Sequence, residues 1–211
     1  MGYIINPYSY ATGSSFENLY SMAFDGVDDY IQAPLDGTST GGILAGTYSD
    51  INLTISLWFK LNSSVNKQGI FQWGNELADA TPFIALNQWT TGGQDRVRFY
   101  VDGAYTSYSS GLNIGQWYNI VLTRTSSDNN YRGYLDGVEF FAYDDGGSIT
   151  QAFWDSATDI YLSGGYFGGA ECNIDEVAVW NSVQNVSTIY GTGTPSDLSS
   201  LNPTAWYRMG D

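Results

Sequence analysis

The stretch Gly115-Gln-Trp-Tyr-Asn-Ile-Val-Leu-Thr-Arg-Thr-Ser-Ser-Asp-Asn-Asn-Tyr-Arg-Gly-Tyr-Leu-Asp-Gly-Val138 decides the fold class. It reads as two β-strands joined by a polar loop, the second running into Asp136-Gly137. Trp117, Ile120 and Leu122 alternate imperfectly with polar residues, which is the period of a strand. Asp-Gly between such runs favours the left-handed backbone of a tight hairpin turn.

Working outward, the pattern repeats along the chain. In residues 51–59, Ile51, Leu53, Ile55 and Leu57 fall on one face of a strand, the cleanest alternation present. Tyr20, Met22 and Phe24 share a face of an earlier strand, and Tyr30 belongs to the next strand after an Asp25-Gly26 turn. Further strands are expected at 68–73, 83–87, 96–101, 105–109, 117–125, 131–135, 138–143, 159–163, 173–180 and 204–209. Asp-Gly dipeptides at 25, 36, 102, 136 and 145 punctuate this succession, and those at 102 and 136 sit between strands as hairpin turns. One segment, 182–190, has helical spacing of Val183, Val186 and Tyr190. Residues 1–19 read as a polar, Tyr-rich arm, and 20–211 as a single domain.

Bulk properties agree. A chain of 211 residues with 16% aromatics, 25 Gly and no long apolar run suits an all-β sandwich or barrel. A domain of this size buries roughly 70% of the surface its unfolded chain exposes, enough for a two-sheet core. The net charge of −15, with only seven Lys and Arg, argues against nucleic acid and against an anionic membrane surface. With no His, catalytic devices built on Ser–His–Asp or Cys–His are absent, as are His-based zinc sites. Cys172 is the single cysteine, so no disulfide forms within the chain, and it reads as a small buried filler. The first residues carry no basic region and no apolar core of a signal peptide. No run is long enough to span a membrane as a helix. Sequons at Asn52, Asn62 and Asn185 are expected by chance in a Ser/Thr-rich chain.

Four pieces carry a resemblance: Phe24-Asp-Gly-Val-Asp-Asp-Tyr-Ile31, Ile55-Ser-Leu-Trp-Phe59, the 115–137 stretch, and Ile174-Asp-Glu-Val-Ala-Val-Trp180. In this order they resemble the laminin-G-like jelly rolls of the concanavalin A-like lectin/glucanase superfamily, over roughly residues 20–190. The ending, Leu201-Asn-Pro-Thr-Ala-Trp-Tyr-Arg-Met-Gly-Asp211, is similar to modules in structural proteins of marine tailed bacteriophages. The resemblance implies an all-β, two-sheet antiparallel β-sandwich (jelly roll), concanavalin A-like. It also implies a structural calcium where the first and last strands meet, which would bring Asp25, Gly26 and Asp175 together. The alternative for these residues is a turn at Asp25 and a backbone-bonded Asp175. Asp144 and Asp145 offer a second calcium loop of the kind the resemblance implies, against the polar turn that Asx residues favour.

Glycoside cleavage needs two carboxyl groups placed across the scissile bond. In the nearest set, Glu171, Asp175 and Glu176, the adjacent Asp175 and Glu176 point to opposite faces of a strand. Glu171 and Asp175 could share a face, but Gly168-Gly-Ala170 just before suggests a loop there. Catalysis is therefore not expected. For sugar binding, the loops offer Trp73, Trp89, Tyr105, Tyr108, Trp154, Tyr166 and Phe167, with Trp89, Tyr105, Tyr166 and Phe167 the leading ligand-binding candidates. Trp58, Trp117 and Trp180 belong to the core. The expected function is a non-catalytic carbohydrate-binding or adhesion module on a phage virion surface, assembled in the host cytoplasm. It would act as a homo-oligomer or in many copies on a host-surface polysaccharide. The alternative is a structural virion subunit, a capsid decoration or tail-fibre protein, that binds other virion proteins.

Overall fold

A computed structural model describes residues 18–34, 50–64, 68–73, 83–86, 96–101, 104–107, 111–146, 159–164 and 168–209. Among them the strands, in chain order, are β1 (Met22–Asp25), β2 (Ile31–Pro34), β3 (Leu53–Leu61), β4 (Gln68–Trp73), β5 (Phe83–Leu86), β6 (Val97–Val101) and β7 (Ala104–Ser107). They continue as β8 (Trp117–Thr125), β9 (Asn130–Leu135), β10 (Val138–Asp144), β11 (Asp159–Leu162), β12 (Glu171–Trp180) and β13 (Ala205–Tyr207). One helix, α1, spans Val186–Tyr190. The first sheet has the order β1-β12-β3-β8-β9-β10, with β13 also on β12. The second has the order β2-β11-β4-β5-β6-β7. All these strand pairs are antiparallel. The expected two-sheet antiparallel sandwich is the fold.

Alternation explains the core. On β3, Leu53, Ile55, Leu57, Phe59 and Leu61 turn inward. They join Phe71 and Trp73 of β4, Val97 and Phe99 of β6, and Ile160 and Leu162 of β11 in one buried cluster. Each such side chain stabilises the fold by about 1.5–3 kcal/mol when fully buried. Gly133 of β9 lies directly under Phe99, and a Cβ there would stand 2.2 Å from the ring. The Asp136-Gly137 hairpin forms as read, with φ of 49° and 77° and Val138 opposite Leu135. Asp102-Gly103 lies outside the described residues, although its flanks pair as Val101 with Ala104.

The outer face of the first sheet is covered by the chain after β12. Val121, Ala178, Trp180, Ile189 and Leu198 form a second buried cluster there. Trp180 Nε1 donates to the Leu201 carbonyl at 3.0 Å, and Tyr190 stacks on Trp58 at 6.1 Å. The helix is shorter than 182–190 because Asn185 caps it, accepting from the Thr188 N–H. The preceding Gln184 N–H is committed to Thr54 Oγ1 at 2.9 Å.

β1 and β13 lie end to end on the same edge of β12. Met22 faces Ile174 and Tyr207 faces Val177. Between them β12 bulges, with Glu176 at φ 48°. The buried Glu176 carboxylate accepts from Trp206 Nε1 at 2.5 Å and Asn18 Nδ2 at 3.5 Å, and pairs with Arg208 at 3.7 Å. Met22 and Phe24 share a face as read, opposite the core residues Ile174 and Cys172. Tyr20 does not join them, because β1 starts only at Met22, and Tyr20 is 63% exposed. Trp73, read as a loop aromatic, is instead the fully buried last residue of β4, opposite Ile160.

Gly133→Ala is expected to cost about 1–3 kcal/mol, since Phe99 must leave its rotamer or the sheets must part. Trp206→Phe leaves the buried Glu176 short of a donor and should cost about 1–3 kcal/mol. Urea unfolding midpoints at unchanged m-value measure both.

Candidate functional site

The site begins at the turn after β1. The Asp25 side chain accepts from the Val27 N–H at 2.8 Å and the Asp28 N–H at 3.4 Å, closing an Asx turn. The Val27 amide, with weaker help from its neighbours, holds the Asp25 carboxyl below the usual range. Gly26 sits at φ 76°, and a Cβ there would stand 2.8 Å from the Glu171 nitrogen, so the turn rests on the first residue of β12. The chain then crosses to the other sheet, carrying Asp28, Asp29 and Tyr30 past the rim to β2.

The facing wall comes from the chain after β11. Ser163 is buried at φ 53°, and its hydroxyl bridges Ala170, bonding both carbonyl and N–H at 3.1 Å. The Gly69 N–H bonds the Gly168 carbonyl at 3.0 Å and Gly69 bridges Gly169, fixing the loop to β4. Gly164 leaves room for Tyr30, for a Cβ at Gly164 would stand 2.9 Å from the Tyr30 Cβ.

Strand alternation supplies the remaining groups. Ile160 and Leu162 enter the core, so Tyr161 stands on the outer face, opposite Gln32 in register. The Tyr30 and Tyr161 rings lie 6.3 Å apart at 43°. Together Val27, Asp28, Asp29, Tyr30, Gln32, Tyr161, Ser163, Gly164, Gly168 and Gly169 line an open cleft of about 400 Å³. Tyr30 is 58% exposed. The next residue in the cross-strand row, Gln72, is only 2% exposed, so the opening belongs to the β2–β11 end of the sheet.

Of the expected ligand-binding residues, Trp89, Tyr166 and Phe167 lie outside the described residues, as do Tyr108 and Trp154. The two ends of the 165–167 segment, Gly164 and Gly168, both line the cleft. Tyr105 falls within β7, opposite position 100. The reading of the sequence passed over Tyr30, Tyr161, Gln32, Asp28 and Asp29. Tyr161 had a usable signal, the lone polar-tipped aromatic between Ile160 and Leu162.

The expected metal residues do not assemble as a pair of strands. Asp25 faces Glu171, whereas Asp175 lies four residues further along β12, about 13 Å away at strand rise. Asp175 is buried and accepts the Glu176 N–H at 2.8 Å. The structure instead gathers Asp25, Asp28 and Asp29, with one oxygen from each within 4.8 Å of the others. These are hard donors of the kind calcium takes, but calcium takes about six to eight oxygens. Asp25 Oδ1 is already committed to two amides, and Asp29 Oδ2 accepts the Asp25 N–H at 3.3 Å. With two of the three carboxylates engaged in the turn, the described residues fall short of the oxygens of a calcium cage. Asp144 makes the Asx turn, accepting the Gly146 N–H at 2.9 Å, and Asp145 is buried.

No catalytic pair forms at Glu171, Asp175 and Glu176, because the last two are buried in the bulge. Asp28 and Asp29 share one wall of the cleft and are exposed. Cys172 is buried in the core cluster, and burial pushes its thiol up to about 12.

The family profile described as Laminin_G_3, concanavalin A-like lectin/glucanases superfamily, matches residues 25–190. Solved structures of similar fold include the heptameric SAP-like pentraxin of Limulus polyphemus, with TM-score 0.54, 16% identity, and 76% of this chain and 77% of that one covered. Another is the Ruminococcus gnavus sialidase CBM40 bound to α2,3-sialyllactose, with TM-score 0.54, 13% identity and coverage of 82% and 96%. A third is domain 4 of a GH43 extracellular arabinanase from Geobacillus stearothermophilus in complex with arabinotriose, with TM-score 0.52, 16% identity and coverage of 84% and 83%. At such identities the likeness is one of fold. No curated protein sequence matches.

Gly164→Ala is expected to displace Tyr30 and separate the tyrosine pair. Near-ultraviolet circular dichroism should lose part of its tyrosine signal, with a stability loss of about 1–3 kcal/mol.

Proposed function

This chain belongs to the concanavalin A-like lectin/glucanase superfamily, and from that premise we propose that it is a non-catalytic glycan-binding module whose site is the β2–β11 cleft. One observation carries the reading: an open cleft of about 400 Å³ that sets two tyrosines beside Gln32, Asp28 and Asp29. Sugars present apolar C–H faces and rings of hydroxyls. Aromatic rings match the first, and amide and carboxylate groups match the second. The fold's occurrence in carbohydrate-binding modules supports the same reading.

The contact is made by side chains and routes nothing through a metal. A glycosidase reading lacks its chemistry, because the cleft's acids stand side by side on one loop rather than across a scissile bond. We place the module on a virion surface, in many copies that add weak contacts into avidity. This setting rests on the resemblance read in residues 201–211 alone. A second reading, a structural virion subunit, draws on Leu19 and Tyr20, which stand 65% and 63% exposed where the arm meets the sandwich.

A glycan array with titration of its hits tests the binding reading. Tyr161→Ala should weaken a hit at least about tenfold, the loss of a stacking contact worth roughly 1.4 kcal/mol. An array without hits removes the reading. Chelator should leave affinity and melting temperature unchanged. Light scattering that finds a stable ring or trimer, together with an empty array, would favour the structural subunit.

A further inference from the structure

We propose that the cleft discriminates by charge, accepting neutral glycans and rejecting those that carry carboxylates. The inference rests on the glycan reading above and adds the ligand class.

Asp28 and Asp29 form part of the wall, with Asp25 immediately behind them. Among the described lining residues none is Lys or Arg. Other described cations are held elsewhere. Lys60 lies over Trp117, and Arg124 is buried with bonds to the Ile51 carbonyl and Asn129. Arg132 pairs with Glu139, and Arg208 with Glu176. Arg98 is on β6 and Arg96 immediately precedes it, three strand spacings from β11, or about 14 Å between backbones.

A neutral sugar suits this wall. Its hydroxyls can donate to the Asp28 and Asp29 carboxylates, making charge-assisted bonds, while Gln32 both donates and accepts. A sialic or uronic acid finds no cation for its own carboxylate among these groups. It meets two like charges, which at about 6 Å in water weaken binding about tenfold together. The chain's net charge of −15 acts in the same direction at longer range.

The experiment titrates neutral oligosaccharides, and the same oligosaccharides bearing a terminal sialic or uronic acid, in chelator at low and high salt. The natural chain is compared with the double variant Asp28→Asn, Asp29→Asn. The readout is the ratio of acidic to neutral affinity, which stays defined even where the variant binds neutral sugar more weakly. The expected result is about tenfold weaker binding of the acidic form at low salt. That gap should narrow in high salt and in the variant. Acidic glycans bound by the natural chain as tightly as neutral ones overturn the inference while leaving the glycan reading intact. A gap unchanged in both high salt and the variant overturns it too, since its cause would then be shape. Absence of binding to either class overturns both.

Discussion

The strand at 171–180 is the constraint on which the molecule depends. It is hydrogen-bonded to β3 along one edge and to β1 and β13, end to end, along the other. It is also covered on both faces, by the core between the sheets on one and by the chain after β12 on the other, which is why eight of its ten residues are buried. Its bulge at 175–178 separates the two partner strands, and the buried Glu176 fills the gap by bonding groups from both sides of it. The same strand fixes the cleft, because the Gly26 turn rests on Glu171 and the rim loop leads straight into it.

The two sheets meet different fates on their outer faces. Thr54, Ser56, Asn119 and Thr123 of the first sheet are buried because the chain after β12 folds back over them. Thr54 is answered there, its Oγ1 donating to the Ser182 carbonyl and accepting from the Gln184 N–H, while Asn119 Nδ2 donates within the sheet to Ser56 Oγ and the Leu57 carbonyl. On the second sheet the β2–β11 end stays open, where Tyr161 and Gln32 project from a rigid backbone. Side chains mounted on strands are held more firmly than those on loops, and here one wall is strand and the other a bonded turn. With the outer face of the first sheet covered, the described cleft lies on the side of the second.

Legibility followed the range of the interaction. The bounds of β4 and β8 coincide with those read from alternation, since a strand's period and its flanking turn residues are local properties. The Asp136-Gly137 hairpin was equally legible, because only the backbone preferences of two residues are involved. Trp73 closes the strand read at 68–73, yet its burial, which removes it from the aromatics open to a ligand, comes from Ile160 and the opposite sheet, far away in sequence. Tyr30 and Tyr161 were not paired in the sequence reading for the same reason. Their meeting depends on β2 lying beside β11, across 130 residues of chain.

What the sequence determined alone was the class of fold, the positions of most strands and the absence of His-based chemistry, all consequences of local period, turn preference and composition. What only the tertiary structure decided was which acids share a site. The family resemblance implies that Asp25 and Asp175 meet, yet register sets them four residues apart, and Asp25 stands beside Asp28 and Asp29 instead. Register is set by inter-strand hydrogen bonding and by a bulge whose carboxylate bonds residues from both ends of the described chain. No pattern within a single segment encodes that geometry.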